Sequence, residues 1–96
     1  MSARIPVYEK VKGKRVVCYD SGPRWADRYT VVYLDYPEHD GLFLSVMMNE
    51  FPTHPHYGFG QHGSCRLGRH LGKRILFADL PEGCRKLVEH EMEEEN

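Results

Sequence analysis

Apolar side chains recur at every second position through much of the first half of this chain, and at every third or fourth position near its end. The first period belongs to strands, whose side chains alternate between two faces, and the second to helices. Val7-Tyr-Glu-Lys-Val11 and Arg15-Val-Val-Cys-Tyr19 flank Lys12-Gly13-Lys14, which predicts two short strands about a glycine turn. Asp20-Ser-Gly-Pro23 then gathers turn formers, since Gly22 accepts positive φ and Pro23 fixes its own. Residues 28–36 hold apolar side chains in both registers, Tyr29, Val31 and Tyr33 against Thr30, Val32 and Leu34. That predicts a central strand covered on both faces. A turn at Pro37-Glu-His-Asp-Gly41 leads to a partner strand over residues 42–48.

Residues 49 to about 74 contain Pro52, Pro55 and five glycines with no sustained period. They predict a long irregular loop, from which a short strand over 74–77 re-enters the sheet. Such loops are uncommon in small domains and often carry function. Asp79-Leu-Pro-Glu82 has the D-x-x-E form of a capping box, with Pro81 in the first turn, where a missing amide costs nothing. Leu80, Cys84, Leu87, Val88 and Met92 then form one apolar stripe, so a helix over 79–94 is expected to lie across the sheet. Glu89, Glu91 and Glu93 to Glu95 oppose the helix dipole, and the last turn should fray.

Strands followed by one helix, without βαβ repeats, give an α+β fold: a small, mostly antiparallel sheet of three to five strands, a long Gly/His-rich loop and one C-terminal helix. The 96 residues are expected to form a single domain, with 1–14 an N-terminal extension or hairpin and 51–74 a functional loop. A hydrophobic content of 41% fits a globular chain. Cys18, Cys65 and Cys84 are widely spaced with no C-x-x-C pair, which predicts free thiols. No apolar h-region opens the chain and no window approaches the ~18 apolar residues of a membrane span, so no membrane partner is expected.

The net charge of −1 conceals blocks of opposite sign. Between Glu50 and Asp79 there is no acid, yet His54, His56, His62, Arg66, Arg69, His70, Lys73 and Arg74 all fall there. Anions, phosphate above all, are the natural partners of that stretch. Arg66, Arg69 and Arg74 are expected to fork onto phosphate oxygens, Lys73 and His70 to add charge, and Arg28 to act as a further clamp. Gly58 to Gly63 would present backbone amides, with Tyr57 or Phe59 stacking on a base. The plainer account is a solvated basic loop that pairs with the acidic tail, with Phe59 tucked into the core. Trp25 reads equally as a core anchor or an exposed stacking surface.

His54, His56 and His62 are the candidate ligands of a divalent metal, because His-x-His in extended backbone points both rings to one face. With Asp27 they are also the candidate catalytic residues of an acid–base or metal-assisted hydrolytic centre. No H-E-x-x-H spacing supports the metal, and capping or turn duties account for Asp27 more simply.

The strings Cys18-Tyr-Asp-Ser-Gly-Pro-Arg-Trp-Ala-Asp-Arg-Tyr-Thr-Val-Val-Tyr, Phe51-Pro-Thr-His-Pro-His-Tyr-Gly-Phe-Gly-Gln-His and His70-Leu-Gly-Lys-Arg-Ile-Leu-Phe-Ala-Asp-Leu-Pro-Glu-Gly-Cys-Arg-Lys-Leu-Val resemble a family of small hypothetical proteins. Bacteriophages, prophages and bacteria encode that family. Its first loop looks like Y-D-N-G-G-x-x-x-D-R-Y-T, where this chain has Ser21-Gly22-Pro23. The resemblance brings no assigned activity and no catalytic residue. Free thiols predict a reducing cytosol, and the resemblance implies the cytoplasm of a bacterial or infected host cell, a setting in which small proteins are often host-directed binders or inhibitors.

The leading expectation is a binding module for nucleic acid or a nucleotide. Beside it stand a His-centred hydrolase and a host-protein inhibitor that uses the acidic helix end. Open sheet edges also suit a homodimer.

Overall fold

The computed structural model describes residues 5–94, the side chain of Glu94 excepted. Lys12 and Gly13 take φ of 53° and 82°, as a tight hairpin turn demands, and join β1 (Glu9–Val11) to β2 (Lys14–Asp20). β3 (Tyr29–Pro37) and β4 (Phe43–Met48) form the expected second hairpin. β5 (Gly60–Cys65) follows beside β4, and β6 (Lys73–Ile75) returns to pair with β2. Every pairing is antiparallel. The α+β class, the antiparallel sheet and the single C-terminal helix are as the pattern predicted, with one strand more than the upper number expected.

The extra strand is β5, which lies inside the segment expected to be irregular. It runs in unbroken register from Met48↔Gly60 to Phe43↔Cys65. Gly-Gln-His-Gly-Ser-Cys has little strand propensity of its own. β4, however, presents a row of backbone donors and acceptors that need partners, and the chain that follows supplies them.

β1 and β6 sit end to end along one side of β2, while β5 forms the opposite edge. Residues 66–72 therefore cross the sheet from β5 back to β2. Leu71, in a 3-10 turn over Arg69–Leu71, packs on Val17, Tyr19 and Val32, so the crossing covers one face. Helix α1 (Glu82–Glu94) covers the other, with Cys84, Val88 and Met92, and Leu80 just before it, against Val16, Cys18, Val31, Tyr33, Val46 and Met48. Tyr29 to Tyr33 are all buried, as the double apolar register of β3 predicted. Each such buried apolar side chain stabilises the fold by ~1.5–3 kcal/mol.

The capping box expected at Asp79 forms one turn too early. Asp79 accepts from the Leu76 amide at 3.1 Å and closes a 3-10 turn over Phe77–Asp79. Leu80 is extended (φ −70°, ψ 147°) because the ring of Pro81 disfavours a helical residue before it, so α1 begins only at Glu82. Among the described residues no helix is long and apolar enough to cross a membrane.

Candidate functional site

The loop between β2 and β3 is pinned at its base. Asp20 Oδ1 accepts from the Gly22 amide and from Arg28 Nε, each at 2.8 Å, and Oδ2 accepts from Arg28 Nη2 at 3.0 Å. These bonds hold the Asp20 carboxyl below the usual carboxylate range, the Arg28 side chain contributing most. The Ser21 amide and hydroxyl both donate to the Arg28 carbonyl. Held this way, the loop projects Trp25 into solvent, 61% exposed. Trp25 is therefore a surface ring.

Across the sheet face, Gly72 takes φ 111° and passes so close to the loop that a Cβ there would lie 2.5 Å from the Asp20 carbonyl oxygen. Glycine alone permits that approach. A hollow of about 360 Å³ lies between the two segments. Thr30 and Met47 line it from the open face of β3 and β4, Ser21, Trp25 and Asp27 from the loop, and His70, Leu71 and Gly72 from the crossing segment. Small-molecule sites begin at about this size. Among the described residues neither Asp27 nor His70 has a side-chain partner. Arg24, Arg69 and Lys73, each next in sequence to a lining residue, are exposed.

Trp25 also walls a second hollow of about 320 Å³, shared with Arg28, Asn49, Glu50 and Phe51. From Phe51 the rings continue. Its centroid lies 6.2 Å from that of Tyr57 in edge contact, and Tyr57 stacks on His54 at 3.6 Å. Asn49 fastens this turn, donating to the Tyr57 carbonyl and accepting from the Phe51 and Phe59 amides. An aromatic strip thus runs from Trp25 through Phe51 to Tyr57 and His54.

The candidate residues of 54–74 are divided among separate faces. His62 lies on the helix side, where its Nε2 pairs with Glu91 Oε2, while Glu91 Oε1 accepts from the buried Tyr33 hydroxyl at 2.5 Å. His54 turns Nδ1 back to the amides of His56 and Tyr57. His70 belongs to the hollow on the opposite face. The trio His54, His56 and His62 is not assembled, and no group of three or more potential ligands placed to hold a metal occurs among the described residues. Asp27 shares its hollow with His70 and not with the other candidate histidines.

The cations are likewise dispersed. Arg28 has its fork filled by Asp20, and Arg74 donates to the Pro6 carbonyl at 2.6 Å while lying over the Tyr19 ring. Arg66 occupies the space beside Gly41 in the β3–β4 turn. His70 lines the hollow, and Arg69 and Lys73 are exposed neighbours in sequence of its lining residues. The amide nest expected at Gly58 to Gly63 does not form, because the Gly58 amide bonds back to the His54 carbonyl and residues 60–65 extend as β5, whose successive amides point to opposite sides instead of converging. Phe59 is 37% exposed and so is not tucked into the core. The acidic helix end pairs with Lys12 through Glu93 and with His62 through Glu91, and not with the segment 66–74 among the described residues.

Sequence reasoning passed over Thr30 and Met47. Their alternation put them on the face opposite the helix, but nothing local shows that a distant crossing would turn that face into a hollow. Compared with known proteins, the chain matches no family model, no curated protein and no solved structure.

Proposed function

We propose that this protein is a binding module for single-stranded nucleic acid or a nucleotide, and that a base of the ligand stacks on Trp25. The exposure of that indole, on the wall shared by two neighbouring hollows, is the observation that carries the reading. A large ring held on a pinned loop loses little entropy on binding, and every base has a face to offer it. Phe51 and Tyr57 extend the platform for a second base. Arg69 and Lys73 supply charge for phosphate, and Asp27 supplies an acceptor for an exocyclic amine. The basic loop of the sequence reading keeps its role in reduced form, since Arg28 and Arg74 already have partners.

Trp25 is the only tryptophan, so its fluorescence reports the site directly. Titration with short single-stranded oligonucleotides and with mononucleotides should quench it, and the affinity should fall as salt rises. Trp25→Ala should weaken oligonucleotide binding by about 10- to 100-fold, the ~1–3 kcal/mol of one stacked base, with thermal stability unchanged. No binding, binding indifferent to salt, or undiminished binding by the variant would each overturn the reading.

A further inference from the structure

The two edges of the sheet are unlike. On one side β2 is covered by two three-residue strands, β1 and β6. That side is tied down further where Arg74 donates to the Pro6 carbonyl and the Phe77 amide donates to Glu9. On the other side stands β5, six residues long and paired to β4 without a bulge. It contains no proline, lysine, arginine or acid. Among the described residues β5 thus lacks the prolines, lysines and bulges that normally blunt an edge strand.

The direction of its backbone groups follows from one bond. The Phe59 carbonyl accepts from the Asn49 amide at 2.9 Å, so alternation along the strand turns Gln61, Gly63 and Cys65 toward β4. Ser45 Oγ donating to the Gly63 carbonyl fits the same phase. The amides and carbonyls of Gly60, His62 and Ser64 therefore point away from the sheet, and all three residues are exposed.

We infer that this edge takes the β5 strand of a second copy of the chain, antiparallel, about a twofold axis at His62. In that register His62 faces His62 of the other copy and Gly60 faces Ser64. Directly opposed residues exchange both backbone bonds, so every outward group of the three residues gains a partner. The same register sets Phe59 opposite Cys65 and brings the Tyr57 end of one strand toward Leu67 of the other. Phe59, Tyr57 and Leu67 are 37%, 60% and 43% exposed, so the twofold covers apolar surface at both ends of the edge. That self-complementarity is what selects a second copy over a foreign strand. β5 carries no lysine, arginine or acid to meet its like across the axis, and each His62 arrives with Glu91 of its own helix beside it. This interface lies away from both hollows at Trp25 and shares only Tyr57 with the proposed stacking platform, so it does not depend on binding at Trp25.

Light scattering of the full chain over a concentration series, read with residue-resolved amide exchange, tests it. The amides of Gly60, His62 and Ser64 should be protected at high concentration and released on dilution. Those of Gln61, Gly63 and Cys65, held by β4, should be protected throughout. Ser64→Pro removes an outward amide and none that faces β4, and should weaken the dimer by roughly 30-fold or more through two lost bonds per pair. The wild-type exchange pattern decides the matter even if that variant does not fold. A chain that stays monomeric at millimolar concentration, or a dimer in which those three amides exchange freely, would overturn the inference. So would a monomer whose three amides become protected only when an extended peptide is added, which would give the edge to a foreign strand.

Discussion

Asp20 illustrates how single residues here serve the loop and not the ligand. Its carboxylate receives the Gly22 amide and both arms of Arg28, and the Arg28 guanidinium lies 5.0 Å from the Tyr29 ring centroid. Arg28 lowers the Asp20 pKa most, and the Gly22 amide adds to that. Because the folded value lies below the unfolded one, this contribution is complete above the unfolded carboxylate pKa of ~3.9 and disappears as pH falls through the folded value. Asp35, lowered by the backbone amide and side chain of Arg15, acts in the same direction. Denaturant melts at successive pH values should show stability falling below about pH 4, with Asp20→Asn less stable at neutral pH and shallower on the acid side. An unchanged acid limb in Asp20→Asn would mean that the loop is not pinned through this carboxylate. The sequence made Arg28 and Arg74 look like phosphate clamps because each is a planar cation near turn residues. Their partners, Asp20 and the Pro6 carbonyl, are fixed by strand pairing, which local composition does not record.

At the scale of elements, β5 and α1 are joined through one carboxylate. Glu91 takes the Tyr33 hydroxyl on one oxygen and His62 on the other, linking helix, central strand and edge strand. Burial first, and then the bond to Glu91, hold the Tyr33 phenol well above its ordinary pKa. Glu91→Ala leaves that hydroxyl without an acceptor and should cost about 1–3 kcal/mol in denaturant melts. Adding Tyr33→Phe to that variant should recover much of the loss, since the unpaired group is then gone. Simple addition of the two costs would show that water reaches the hydroxyl. The helical stripe from Leu80 to Met92 was plain in the sequence because a 3.6-residue period needs no knowledge of what it packs against. Its first turn was less plain: the effect of Pro81 on Leu80 outweighed the capping signal at Asp79. β5 was invisible for the opposite reason, since Gly-Gln-His-Gly-Ser-Cys becomes a strand only beside β4.

Taken whole, the molecule encloses its sheet between a helix and a crossing segment, and that enclosure sets the chemistry of its thiols. Cys18 and Cys84 are buried, each pushed up to about 12 by desolvation. Cys65, half-buried in β5, is also raised by desolvation. A thiol reagent at neutral pH should reach Cys65 slowly and the other two only on unfolding, with all three titrating in denaturant. Three rapid equivalents from the native chain would show that the enclosure opens freely. Apolar periodicity determined by itself the fold class, the central strand and the buried face of the helix, because each depends on spacing along one segment. Tertiary structure alone decided where the crossing from β5 to β6 runs, and so which of the many histidines and arginines share a hollow with Trp25. Strand pairing sends neighbours in sequence to opposite faces, and only the folded chain shows which distant residues meet there.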